Sequence, residues 1–206
     1  MRNKIGTLFM ILGAALVLSA LALFLYNQRE AAQAEQVAAA QLSQLVVEIG
    51  QQEELENTEV ILPGTPVELM DPSAFEMTEV IIDGHAYIGY LSIPSLNLEL
   101  PIMSGWDYTK LRIAPCRYYG SVMGEDLVLM AHNYKKHFGT ISKLSEGDSV
   151  IFVDMDGVTT QYEVVAQEVL TPKEVEEMTA GEYDLTLFTC TYGGKSRVTV
   201  RCDKVE

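Results

Sequence analysis

Residues 5–26 carry no ionisable side chain before Tyr26, and no second run of that kind follows downstream. Its 22 residues match what a helix needs to cross about 30 Å of hydrocarbon, so the run predicts a transmembrane helix. Residues 27–57 then mix Ala, Gln and Glu with apolar positions at Val37, Leu42, Leu45, Val46 and Ile49, a helix-like spacing without strong caps. This stretch predicts a helical or partly disordered stalk, either a charged spacer or a coiled-coil or docking helix. Pro63, Pro66 and Pro72 forbid a continuing helix and mark a linker near 57–80. From Val80 the pattern changes to short alternating runs at 86–93, 96–102, 127–131, 149–153, 159–170, 185–190 and 197–202. About seven strands at that spacing predict a β-barrel or sandwich. Short helical segments are expected at 107–112, 138–144 and 172–178, the last with Thr171 as N-cap and Pro172 at the first helical position.

Charge sharpens this division. The chain holds 14 basic and 29 acidic residues, a net of −15, which repels phosphate backbones and argues against nucleic acid as a partner. Between residues 30 and 109 there is no Lys or Arg at all against 14 acidic residues, whereas 110–206 holds 11 basic and 15 acidic. Arg2 and Lys4 precede the apolar run, and Arg29 behind it is soon outnumbered by Glu30 and Glu35. The positive-inside bias therefore puts the N-terminus in the cytoplasm and the bulk of the chain outside a cytoplasmic membrane. A cleaved signal peptide, with small residues at Ala20-Leu21-Ala22, is the competing reading. The resulting division is 1–4 cytoplasmic, 5–26 membrane anchor, 27–80 acidic stalk and linker, and 81–206 a mainly β domain. Cys116, Cys190 and Cys202 contain no CxxC, and His85, His132 and His137 show no paired ligand spacing beyond the weak His132/His137 pair, which argues against structural zinc. A Cys116–Cys202 bridge would leave Cys190 as the odd thiol. His85 and His137 read as solvated surface residues.

The last two runs hold the candidate chemistry. In Leu185-Thr186-Leu187-Phe188-Thr189-Cys190 the leucines face the core, so Cys190 falls on the opposite face; in Arg197-Val198-Thr199-Val200-Arg201 the valines face the core and Arg197 turns outward. The six residues between include Gly193-Gly194 and can close a hairpin that sets Cys190 opposite Arg197. Positive charge favours the thiolate nucleophile, and a guanidinium is a fixed donor for a tetrahedral oxyanion. A proton donor for a leaving amine is then needed. His132, where the apolar strand 127–131 opens into a loop, is placed to be it. Read from pattern alone, the trio competes with a buried structural cysteine, a surface arginine and a loop histidine.

Thr186-Leu187-Phe188-Thr189-Cys190 followed by Arg197-Val198-Thr199-Val200 resembles the TLxTC-then-Arg signature of sortases, the membrane-anchored cysteine transpeptidases of Gram-positive bacteria. Ala131-His132-Asn133, the segment Phe138-Gly139-Thr140-Ile141-Ser142-Lys143-Leu144 and the Gly147-Asp148-Ser149-Val150 turn are similar to that family's catalytic-histidine region. The resemblance covers residues 84–203 and implies an eight-stranded β-barrel with short connecting helices. It implies Cys190 as nucleophile, His132 as general acid/base and Arg197 as oxyanion or substrate-backbone donor. Thr189, Asn133 and Tyr192 become candidate substrate-binding residues. No cofactor is implied. The implied partners are surface proteins with a C-terminal sorting motif of LPxTG type and an acceptor amine from peptidoglycan precursor or pilin.

The chain departs from the family in places. Ala131 stands where a Gly usually precedes the histidine, and the Cys-to-Arg gap of seven is short, which leaves the subclass open between B-like and pilin-building (class C-like) forms. Arg201 shares the face of Arg197 but lies four residues further along. Asp71-Pro72 is only a partial match to the Asp-Pro-aromatic lid of pilin-building members, because Ser73 follows. Glu163, Glu168, Glu174, Glu176 and Glu177 read as charged surface, with a calcium site as the lesser alternative. Cys116 reads as a space-filling residue. Two other classes of function remain: a hydrolytic cysteine peptidase using the same trio, and a non-catalytic membrane-anchored binding module.

Overall fold

The computed structural model describes residues 2–56 and 76–205, with side chains from 6 to 51 and from 76 onward. The partial lid at Asp71-Pro72 and most of the 57–80 linker lie outside the described residues. Helix α1 spans Arg2–Glu56 without a break, 55 residues. It is long and apolar enough to cross a membrane, its most apolar window having a mean hydropathy of 2.7 with none of it buried, and so fits a single-pass anchor. Beyond Arg29 the same helix changes character. Ala34, Ala38, Gln41, Leu45 and Ile49 are buried at three- and four-residue intervals, one helical stripe. They lie against the barrel, where Leu45 and Ile49 join Tyr87, Met103, Leu111 and Cys116 in one apolar cluster. The segment is therefore a docking helix and not a spacer. Its buried face is also not the one the valines predict: Val37 and Val46 are exposed, and small alanines let the helix approach closely.

Among the described residues nine strands follow: β1 (Val80–Ile82), β2 (His85–Ile93), β3 (Leu98–Met103), β4 (Cys116–Tyr119), β5 (Leu127–Ala131), β6 (Ser149–Asp154), β7 (Thr159–Leu170), β8 (Leu185–Cys190) and β9 (Arg197–Lys204). Their order is β1-β2-β3-β4-β5-β8-β9-β7-β6, and β6 pairs back onto β2. Eight strands thus close into a barrel while β1 pairs with the start of β2. The pairs β3–β4 and β5–β8 are parallel, the rest antiparallel. Ile88, Leu91, Ile102, Leu129, Phe152, Leu187 and Val200 fill the interior, the inward half of each alternation. Closure is tight at Gly89, whose φ is +143° and where an added Cβ would stand 2.1 Å from the Val153 carbonyl oxygen.

The run expected at 96–102 begins two residues later because Pro94–Leu96 forms a 3₁₀ turn ended by left-handed Asn97. β1 and β4 are additional to the expected set. Only Lys110–Arg112 is helical within 107–112, a 3₁₀ turn ahead of which Asp107 Oδ1 accepts from the Thr109 and Lys110 N–H groups at 2.7 and 2.8 Å. Helix α2 (Val175–Thr179) starts later than expected, with Glu174 and not Thr171 at its N-cap. Cys116 and Cys202 are free thiols in separate apolar clusters, so the Cys116–Cys202 bridge does not form. Burial pushes both thiols up to about 12.

Candidate active site

β8 and β9 run antiparallel with Cys190 directly opposite Arg197. The intervening turn is closed by the Thr191 N–H donating to Ser196 O at 2.9 Å and the Gly194 N–H donating to Thr191 O at 2.8 Å. Gly193 and Gly194 take φ of +85° and +73°, conformations that favour residues without a Cβ. The half-buried Arg197 guanidinium is fastened to this turn, Nη1 donating to Gly194 O and Ser196 O, both at 3.2 Å.

β5 lies parallel to β8 with Ala131 aligned on Thr189, so His132 continues the register beside Cys190, on a neighbouring strand about 5 Å away. The buried Thr189 hydroxyl donates to Ala131 O at 2.8 Å and ties the two strand ends together. Burial holds the His132 imidazole below its ordinary titration range; the Glu30 carboxylate of α1 opposes that shift and Arg112 adds to it. Tyr134 stands between two histidines, its ring 4.9 Å from His132 and 5.4 Å from His137.

Cys190, His132 and Arg197 line one cavity of about 190 Å³, mostly apolar, whose walls include Trp106, Tyr118 and Met178. Asn133, Thr189 and Tyr192 meet Cys190 in a second cavity of about 290 Å³, which neither His132 nor Arg197 lines. Thr189 borders both, but its hydroxyl is engaged with β5. Tyr192 is fully exposed at the hairpin tip.

The outward face of β9 is less open than the alternation suggests. α2 covers it, so Thr199 and Arg201 are buried. Arg201 donates to Glu168 at 2.7 Å, to Thr186 Oγ1 at 2.9 Å and to the carbonyls of Met178 and Glu177 at 3.3 and 2.6 Å, a structural set of partners. Glu168 is thereby paired, and Glu174 accepts from the Thr171 N–H. Among the described residues no three His, Cys, Asp or Glu side chains gather as a metal site. His137 departs most from expectation. It is fully buried, neither ring nitrogen has a hydrogen-bond partner, and burial lowers it to about 4, with His132 adding to the shift.

The apolar wall was not found from sequence. Trp106 packs on Tyr118, and Tyr118 meets Phe188 edge-on at 5.2 Å, which leads to the strand that ends at Cys190. That Trp106 is the one tryptophan was the available signal.

A family model described as the sortase domain matches residues 91–205. The chain belongs to the sortase family. Sortases are cysteine transpeptidases, and the closed eight-stranded barrel is their fold. Sortase A of Bacillus anthracis is 31% identical over 125 residues, which is 58% of this chain and 59% of that protein, so the chain aligns with less than two thirds of the relative's length. Among solved structures, sortase C from Clostridium perfringens SM101 is 26% identical with a TM-score of 0.54, over 80% of this chain and 89% of that one. A Clostridium perfringens sortase D5 transpeptidase has a TM-score of 0.60 at 18% identity, covering 83% of this chain and 99% of that one, a likeness of fold. Relatives named A, C and D leave the subclass open.

Proposed function

We propose that this sortase is a membrane-anchored transpeptidase facing outward from the cytoplasmic membrane, with Cys190 as nucleophile, His132 as general acid/base and Arg197 as oxyanion donor. The observation that carries the reading is that β5, β8 and β9 deliver these three side chains to one half-buried cavity. The Cys190 thiolate adds to the threonine carbonyl carbon of an LPxTG-like sorting motif, and Arg197 stabilises the oxyanion. The threonine–glycine C–N bond breaks as imidazolium His132 gives its proton to the glycine amine. An amine of peptidoglycan precursor or pilin then attacks the thioester, loses a proton to His132 and releases the thiolate. No cofactor enters this sequence. The apolar wall suits the aliphatic part of such a motif, and Asn133 and Tyr192 lie on the other side of Cys190, where the acceptor would approach.

The test mixes the full chain in mild detergent with LPxTG-like peptides and a small amine and follows intact-protein and product masses. A thioester adduct on Cys190 and an amine-capped product, both lost in Cys190→Ala, are expected. An adduct that yields only hydrolysis whatever amine is added would turn the reading to a peptidase. Absence of any adduct would turn it to a binding module. The rate follows a bell-shaped pH profile, because one protonation state of each partner is required.

A further inference from the structure

The sequence has no Lys or Arg between Arg29 and Lys110, and the fold brings Arg29 beside Arg112, two residues past the far end of that gap. Arg29 and Arg112 line one cavity of about 450 Å³ whose lining also includes Tyr26, the residue that ends the apolar run, and Glu30. Arg112 Nε stands 3.8 Å from the Glu30 carboxylate, and its side chain is 67% exposed. Because α1 is unbroken, Glu30 lies four residues, about 6 Å, beyond Tyr26 along the helix axis. That distance is the depth of a lipid headgroup layer, since the polar zones add roughly 5–7 Å to each side of the hydrocarbon. The helix thus fixes the height of Arg112 above the membrane.

The rest of the Arg112 loop has the composition of a membrane interface. Trp106 is 41% exposed, Tyr108 is 74% exposed, and the two rings touch edge to face at 6.0 Å. Lys110 lies between Tyr108 and Arg112. Exposed Trp and Tyr beside cations are what a bilayer interface selects, the rings at headgroup level and the cations on phosphate. We propose that the 105–113 loop rests in the headgroup layer of the leaflet next to the barrel, with Arg29 and Arg112 holding lipid phosphates and Trp106 and Tyr108 seated at the interface. Trp106, Tyr108 and Leu111 also line the cavity of Cys190. The loop placed in the headgroup layer is thus also one wall of that cavity.

The inference rests on α1 being the membrane span, and the experiment tests that step separately. Trp106 is the chain's single tryptophan, so its emission reports this loop alone. The full chain is reconstituted into phosphatidylcholine–phosphatidylglycerol vesicles carrying a nitroxide either on the headgroup or deep in the acyl chain, and insertion is checked by flotation. Headgroup nitroxide is expected to quench Trp106 at least two-fold more strongly than the deep label, and the double change Lys110→Glu with Arg112→Glu to cut that quenching by half or more. Emission unaffected by headgroup nitroxide in a chain that floats would overturn the loop's placement. Quenching unchanged by the charge reversal would overturn the cation–phosphate contact. A chain that does not float would overturn the anchor and the inference together.

Discussion

Replacing His137 by Leu should raise stability in acid and leave the pH-independent part of stability nearly unaltered. The imidazole is fully buried with both nitrogens unpartnered, and it titrates near 4 in the folded chain against 6.5 as the ordinary value. The unfolded chain therefore binds a proton below about pH 6.5 that the folded chain refuses until about pH 4. The folded state is penalised progressively as pH falls through that window, and above it both states are neutral and nothing is lost. At 1.36 kcal/mol per unit, the penalty is about 2 kcal/mol at pH 5 and on the order of 3 kcal/mol at pH 4. Leucine cannot titrate, so the difference between variant and parent should grow by about 2 kcal/mol between pH 7.5 and pH 5. Carboxylates contribute equally to both proteins and cancel. Urea unfolding of the full chain in non-ionic detergent, followed by Trp106 emission, reads the difference as a midpoint gap that widens by about 1 M for a slope near 2 kcal/mol/M. A gap that stays constant from pH 7.5 to pH 5 would refute the reasoning, because cavity and packing costs of the substitution do not depend on pH.

Glu30→Gln should lower the His132 titration further, since that carboxylate opposes the effect of burial; ring-proton NMR on the full chain reads it, and a rise would contradict the assignment. Thr189→Val removes the bond to Ala131 O while keeping the shape, with a loss of about 1 kcal/mol and a fall in kcat larger than any change in KM. Arg201→Ala strips the partners from Thr186, Glu168 and two carbonyls and should cost about 3 kcal/mol in a thermal melt, whereas a loss below about 1 kcal/mol would show the set to be dispensable. Gly89→Ala drives a Cβ into the Val153 carbonyl where β2 meets β6 and should destabilise by about 3 kcal/mol or prevent barrel closure.

The strands carried by strong apolar runs were legible. β5, β7 and β8 fall on the residues their patterns mark: β7 alternates over its first half, and β5 and β8 are short apolar runs buried on nearly every residue. The Cys190–Arg197 pairing was legible too, since alternation and a six-residue turn with two glycines leave little freedom in register. β4 was not, because Cys116-Arg117-Tyr118-Tyr119 buries only Cys116 fully and its tyrosines face the site wall and solvent, so no period of two shows. His137 was misread because Lys135 and Lys136 beside it suggest a solvated loop. They are indeed exposed, but the backbone turns inward at the 3₁₀ segment and carries the imidazole with it. The docked face of α1 was hidden for a different reason. Tight helix–barrel approach selects alanine and one glutamine, which takes the Tyr87 hydroxyl, so a search for large apolar residues finds Leu45 and Ile49 but misses Ala34, Ala38 and Gln41 and adds the exposed Val37 and Val46.

That face changes what the N-terminal helix is for. Besides burying Leu45 and Ile49, α1 places Glu30 where it acts on His132 and on Arg112, and Glu35 where its carboxylate meets Lys136 at 3.4 Å. Lys136 and Tyr134 belong to the segment that runs from His132 to the buried His137, so the helix contacts the histidine's own loop. A side chain held half-buried at a strand end has its orientation set by the loop that follows, and here that loop is clasped by α1. Exposed ion pairs such as Glu35–Lys136 contribute little energy singly. The apolar seam contributes more, because removing the helix would expose Tyr87, Leu111, Cys116 and Met155 of the barrel wall together. Helix α1 is thus part of the barrel's core and of the electrostatic setting of His132. A barrel released from it would differ in stability and in the titration of His132, with the residues lining the Cys190 cavity unchanged in sequence.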